Sequence, residues 1–174
     1  LIGSSSGGGS GWGCGRGDFG MNVFNSRALA FLRELGLASA TVSFELRHQQ
    51  VRDLAKLLPC EGIVYGRLPL MVMENCITKN NVGCRHGAGS TLTDRTGAQF
   101  PVQCVYGCRN EIENSLPLFL ADKAEWRGCG LTSARLRFTT ETADECAAIM
   151  RRYRGEGDYA PEKYTRGLLY RGVE

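Results

Sequence analysis

No stretch of this sequence holds the roughly 18 consecutive apolar residues that a membrane-spanning helix requires. The first twenty residues also lack the charged start and greasy centre of a secretory leader, so a cytoplasmic chain without a membrane partner is expected. Histidine is scarce, with His48 and His86 the whole supply. A zinc protease would show H-E-x-x-H, which is missing, and a cysteine protease needs a thiolate beside an imidazole, for which neither histidine has an obvious partner. C-x-x-C is absent too. Nor does one sign of charge dominate. The 21 basic and 18 acidic residues leave a formal +3 spread over many segments, which predicts solubility better than it predicts a partner. RNA is permitted, through Arg109, Arg135, Arg137, Arg151, Arg152 and Arg154, but no aromatics interleave with them and a solvated face is the default.

What is present is an ordinary globular composition, 43% hydrophobic and 22% charged over 174 residues. The eight cysteines accompany no export signal, which favours free thiols or metal ligands over disulfides. Residues 1–17 are mostly Gly and Ser, with Trp12, Cys14 and Arg16 the only large or reactive side chains. They read as a flexible linker in which Cys14 is incidental.

From Asp18 apolar runs alternate with helical periodicity. Phe19 to Phe24 is predicted as a buried strand. Asn25 or Ser26 caps a helix that turns Ala28, Leu29, Phe31, Leu32 and Leu35 inward and stops at Gly36. Ala40 to Leu46 is predicted as the second strand and His48 to Leu58 as the second helix, ended by Pro59. Gly62 to Tyr65 is predicted as the third strand, continued by Leu68 to Met73. Strands separated by helices give the rhythm of a parallel sheet, and the fold class is read as α/β, a partial parallel β/α (TIM-like) barrel. A closed barrel takes about 250 residues, so this chain holds part of one. It is expected to be a fragment, or to cover an open sheet edge by pairing with a missing N-terminal half or with itself.

The rhythm breaks over residues 74–110, which carry Cys76, Cys84, Cys104 and Cys108 among many Gly, Asn and Thr residues. Thr91 to Thr93 and Gln99 to Cys104 flank the turn sequence Asp94-Arg95-Thr96-Gly97, which predicts a cysteine-bearing β-hairpin inserted at the end of a strand. Regular structure then resumes, with Glu111 to Asn114 as a strand, Leu116 to Trp126 as a helix and Ala134 to Thr139 as a strand. Thr140 or Thr142 caps a last helix through Tyr153, with Ala143, Cys146, Ala147 and Met150 inward. Residues 18–154 thus form one domain, and residues 155–174 form a tail packed on it.

The segments Gly17-Asp18-Phe19-Gly20-Met21-Asn22-Val23-Phe24-Asn25-Ser26, Ser43-Phe44-Glu45-Leu46, Val64-Tyr65-Gly66-Arg67-Leu68-Pro69-Leu70-Met71 and Tyr164-Thr165-Arg166-Gly167 carry a resemblance. In their order and spacing they resemble the collagenase-like peptidases, the family numbered thirty-two among peptidases of unknown mechanism, from about Gly17 to Glu174. The resemblance implies a TIM-like barrel and a peptidase label. In several relatives it also implies an iron-sulfur cluster, held by cysteines, that serves anaerobic hydroxylation of RNA or of quinone precursors. Pro69 stands where many members carry the first cysteine of the strand motif, and Cys76 stands where they carry the second.

Four thiols on bendable loops suit an iron-sulfur or zinc site, so Cys76, Cys84, Cys104 and Cys108 are the candidate metal ligands, with His86 as a replacement ligand and Glu74 as a support. The alternative is no metal, with Cys104 a small apolar residue of a hairpin strand. Asn22, Asn25, Glu45 and Arg67 fall near the C-terminal ends of the predicted strands, where parallel barrels gather their sites. Glu45 as general base and Arg67 as an anion clamp are the candidate catalytic pair, and Asn22 and Asn25 are candidate substrate contacts. A Glu45 to Arg67 ion pair that only ties strands together is the competing role. Two functions follow: an enzyme part whose strand ends bind an organic substrate, or a non-catalytic segment that completes a barrel and whose cysteines pack or bind zinc.

Overall fold

Gly17 is a position with no room for a side chain, because a Cβ there would lie 2.8 Å from Met21 Sδ and 3.0 Å from Leu37 Cδ2. The computed structural model describes residues 15–83, 90–105 and 107–170. Cys14, Cys84 and His86 lie outside the described residues. The chain divides into two units, one drawn from Leu1–Tyr65, Phe119–Arg137 and Arg166–Glu174, the other from Gly66–Leu118 and Phe138–Thr165.

In the first unit, Gly15–Gly17 is strand β1, so the expected linker ends in a strand. The strand predicted over Phe19 to Phe24 is replaced by a single 3-10 turn, Phe19–Met21. Asp18 explains the difference, since its Oδ1 accepts the Phe19 N–H at 2.8 Å and offers the backbone a local partner in place of a ladder. Only Val23 returns to the sheet, in a parallel bridge to Val42. Asn25 Oδ1 accepts the Ala28 N–H at 2.9 Å and starts α1, Ser26–Glu34. Leu29 and Leu32 of α1 are buried, whereas Phe31 and Leu35 are more than half exposed, so the buried stripe is narrower than the periodicity suggests.

Strand β2 spans Leu37–Thr41 rather than Ala40 to Leu46, because the chain turns back at Ser43, whose carbonyl accepts the Leu46 N–H. Helix α2, His48–Ala55, ends before Leu58 but still buries Val51 and Leu54. Strand β3, Cys60–Gly66, follows, and it ends where Gly66 takes a φ of 120°. Both β1 with β2 and β2 with β3 are parallel, the latter in the register Ala40↔Cys60 and Thr41↔Glu61. Ala40, Val42 and Cys60 lie in the core with Leu29, Leu32, Val51, Leu54 and Leu58, which places α1 and α2 over that face. Each buried Leu or Val side chain contributes roughly 1.5–3 kcal/mol.

The helix predicted over Leu116 to Trp126 does not form. Pro117 disfavours a helical residue before it, and Leu118, Phe119 and Leu120 are buried in succession, which one helical face cannot achieve. The segment instead supplies strand β8, Leu118–Phe119, which pairs with β3. Strand β9, Ser133–Arg137, pairs with β3 as well, and the first sheet has the order β1-β2-β3-β8 with β9 off that path. This is a mixed α/β sheet, and no closed barrel is found among the described residues.

In the second unit, Pro69–Met73 is a separate strand, β4, and not an extension of β3. It joins a four-stranded antiparallel sheet of order β4-β7-β6-β5, with β5 Ser90–Thr93, β6 Gln99–Val105 and β7 Arg109–Glu113. The expected hairpin is present. Asp94 Oδ1 accepts the Thr96 hydroxyl at 2.7 Å and N–H groups from Ala98 and Thr96, which sets the turn and holds the Asp94 carboxyl below the usual carboxylate range. Between β4 and β5 lies helix α3, Ile77–Val82. Helix α4, Ala143–Arg154, buries Ile149 and leaves Met150 exposed, the reverse of the expected inward set at that turn. Its N-terminus is a capping box: Thr142 Oγ1 accepts the Glu145 N–H, and Glu145 returns the contact by accepting the Thr142 N–H at 2.7 Å. Replacing Thr142 by Ala is expected to lower stability by about 1 kcal/mol in urea denaturation, and unchanged stability would show that the cap contributes nothing.

Candidate functional site

Side chains alternate across a strand, so the register that sends Ala40 and Cys60 toward the helices sends Thr41 and Glu61 to the opposite face. Arg16 pairs with Ser39 in β1 and β2. Together with Gly17, Asp18, Ser133 and Arg135 these residues line a cavity of about 110 Å³. Strands of a parallel sheet are usually buried on both sides by apolar groups. Here one side is a charged and hydroxylated floor.

Arg135 on β9 organises that floor. Its guanidinium forms ion pairs with Asp18 and, at 2.6 Å, with Glu61. Glu61 is closed in further: Oε1 accepts the Thr41 hydroxyl at 2.9 Å and Oε2 accepts the Ser133 hydroxyl at 3.3 Å. The Arg135 and Arg137 guanidiniums also lie 5.9 and 5.7 Å from the centroid of the Phe19 ring, within cation–π range. The cluster escaped the sequence reading because Ser39, Glu61 and Ser133 fell just outside the predicted strand limits. The available signal was the alternation Ser39-Ala40-Thr41, read one register late.

The four residues expected at the strand ends have different places. Asn22 closes the 3-10 turn with a φ of 46°, the left-handed region that Asn tolerates. Asn25 caps α1. Glu45 is half-buried in the turn after β2, and its carboxylate has no ion-pair partner among the described residues. Arg67 belongs to the second unit, where it donates to the Asn114 carbonyl at 2.9 Å, to the Ser115 carbonyl and to the Thr140 hydroxyl. It thereby ties the start of β4 to the loop after β7.

The cysteines divide by environment. Cys60 and Cys129 are buried in the first unit, their S–H groups donating to the carbonyls of Leu58 and Glu125. Burial pushes the Cys60 thiol up to about 11 and raises Cys129 as well, so both are inert at neutral pH. Of the candidate metal ligands in the second unit, Cys76 is buried at the N-cap of α3, where its Sγ accepts the Lys79 N–H at 3.3 Å. Cys104 is exposed on β6 and donates to the Gly107 carbonyl, and Cys108 is exposed in the turn before β7. Among the described residues, no three His, Cys, Asp or Glu side chains gather closely enough to hold a metal ion. Glu74 is exposed and paired with Arg109 at 2.9 Å.

His48, the first residue of α2, has its Nδ1 buried without a hydrogen-bond partner among the described residues, and its ring centroid lies 6.4 Å from that of Tyr170. The tail around it is anchored. Arg166 pairs with Asp122 and holds that carboxyl below the usual range, and Leu169 accepts the His48 N–H at 3.0 Å. No protein-family profile, curated protein or solved structure matches the chain.

The Arg135 network is partly shielded from water, so removing its centre leaves two carboxylates facing each other. Arg135→Ala is expected to cost about 1–3 kcal/mol in urea denaturation, and adding Glu61→Gln to that variant is expected to return part of the loss. Strictly additive losses would show that the three groups do not act together.

Proposed function

We propose that this chain is part of a β/α enzyme that acts on a small polar organic substrate held over the polar face of the parallel sheet. The observation that carries this reading is the two-sided character of the β1-β2-β3 sheet: helices and apolar side chains on one side, Arg16, Ser39, Thr41, Glu61 and Arg135 on the other. A polar inward wall of parallel strands is how β/α folds present side chains to a ligand. The resemblance to the collagenase-like peptidases supports the same class.

Within that reading, Glu45 is the carboxylate assigned to proton transfer, since it is half-buried and its carboxylate is not taken up by an ion pair among the described residues. Nucleophilic proteolysis is not the chemistry favoured. A thiol nucleophile needs an imidazole beside it, and His48, the histidine among the described residues, has an Nδ1 without a hydrogen bond there. Iron-sulfur-dependent hydroxylation of RNA or of a small organic substrate is the part of the proposal that rests on the resemblance and on Cys76, Cys84, Cys104 and Cys108. The described cysteines do not converge, and no chemical step is derived through a cluster. Anaerobic purification followed by iron and acid-labile sulfide analysis tests it. The hydroxylase form expects stoichiometric iron and sulfide, and a colourless protein without bound metal would remove it.

A second reading, a segment that completes a sheet without catalysis, is favoured by one observation. Edge strand β4 leaves Leu70, Met71 and Val72 each more than half exposed, an apolar edge of the kind that natural sheets cover. Under this reading the chain associates, with itself or with strands of a barrel half, and Val72→Lys lowers the mass measured by light scattering. A mass that stays monomeric across concentrations would leave the edge without a self-pairing role.

A further inference from the structure

We propose that the cavity beside Arg135 takes a small zwitterion, an α-amino acid or a molecule of that shape, with its carboxylate on Arg16 and its ammonium on Asp18. This deepens the reading of the polar sheet face as a ligand surface, on which it rests, by assigning the ligand's chemistry.

The assignment follows from which groups in the cavity are already satisfied. Arg135 is taken up by Asp18, Glu61 and the Thr41 hydroxyl, which accepts from it at 3.4 Å. Glu61 accepts from Thr41, Arg135 and Ser133, so both of its oxygens are occupied. The contacts to Asp18 from the Phe19 N–H and from Arg135 fall on one oxygen, Oδ1, which leaves Oδ2 without a hydrogen bond among the described residues. Arg16 lines the cavity, and among the described residues its guanidinium has no ion pair or hydrogen bond and the Ser39 hydroxyl beside it on β2 has no partner either. A free guanidinium with a hydroxyl, across from an acceptor oxygen, is therefore what the cavity offers a ligand.

Charge decides between ligand classes. Arg16 and Arg135 balance Asp18 and Glu61, so the cavity lining is neutral. A plain anion would satisfy Arg16 while facing two carboxylates, and a plain cation would satisfy Asp18 while facing two guanidiniums. A zwitterion matches both ends without leaving either charge opposed. A volume of about 110 Å³ restricts the ligand to a handful of non-hydrogen atoms, the size of glycine or alanine rather than of a nucleotide.

Titration of the isotope-labelled full chain with glycine and L-alanine, followed by amide chemical shifts, tests the assignment. Acetate and ethylammonium serve as the two half-ligands. Saturable shifts are expected at Arg16, Asp18 and Ser39, with a dissociation constant on the order of 1 mM or tighter for the amino acids and at least about tenfold weaker binding of either half-ligand. Arg16→Gln is expected to weaken glycine binding about tenfold or more with unchanged thermal stability, since the Arg16 side chain supports no other group among the described residues, and Ser39→Ala is expected to weaken it less. The proposal is overturned if the half-ligands bind as well as glycine, if no saturable shift appears, or if Arg16→Gln leaves the affinity unchanged. Iron and sulfide content does not enter this measurement. Glycine binding would therefore keep the pocket even where the separate iron and sulfide analysis removes the hydroxylase reading.

Discussion

The register that pairs Ala40 with Cys60 and Thr41 with Glu61 is the constraint on which the first unit depends. Because side chains alternate with a period of two, this one alignment settles both faces at once: Ala40 and Cys60 into the helix-covered core, Thr41 and Glu61 onto the polar floor. A slip by a single residue would drive Glu61 among Leu29, Val51 and Leu54 and put Cys60 into the charged cavity. Burying an unpaired carboxylate costs several kcal/mol, far more than two short strands gain from their ladder, so the alternative registers are strongly penalised. The glycine at position 17 serves the same alignment by letting β1 lie close to Leu37 and Ala40.

A polar face on a parallel sheet carries its own difficulty, since carboxylates drawn out of water must be compensated. The solution is local neutrality. Arg135 comes from a strand late in the sequence to sit between Asp18 and Glu61, and the hydroxyls of Thr41 and Ser133 close the remaining lone pairs of Glu61. Phe19, held in its turn by the same Asp18, receives the guanidiniums of Arg135 and Arg137 on its ring. Asp18 thus acts twice, as a backbone cap and as an ion-pair partner. Among the described residues the network leaves Arg16 as the cavity-lining guanidinium not already engaged, an asymmetry that favours a ligand there.

Elements whose signals are local were legible before the fold was known. Asn25, one of two residues expected to cap α1, Thr142, one of two expected to cap α4, and the Asp94 turn between β5 and β6 each depend on contacts a few residues apart. Elements decided by distant partners were not. Leu116 to Trp126 has helical composition, yet Leu118, Phe119 and Leu120 are buried together against partners elsewhere in the fold. Phe19 to Phe24 has strand composition, yet Asp18 captures the Phe19 amide first. The same distinction governs the site. Asn22, Asn25, Glu45 and Arg67 were chosen from their position along the chain, and of these Asn25 and Arg67 have structural hydrogen bonds. The Arg16, Glu61 and Arg135 constellation joins three strands and has no short-range signature, so only the assembled sheet reveals it. The family resemblance was carried by short segments in order, which bear on class and not on side-chain contacts.

The most direct test of this account is amide hydrogen exchange at Ala40 and Val42, whose N–H groups donate to the carbonyls of Pro59 and Glu61 at 3.2 and 2.9 Å in the proposed register. Exchange at both positions is expected to be slow and to track global unfolding, as for other core ladder amides. Exchange at either amide as fast as in the exposed Asp94 turn would contradict the register, and the polar floor and its pocket would fall with it.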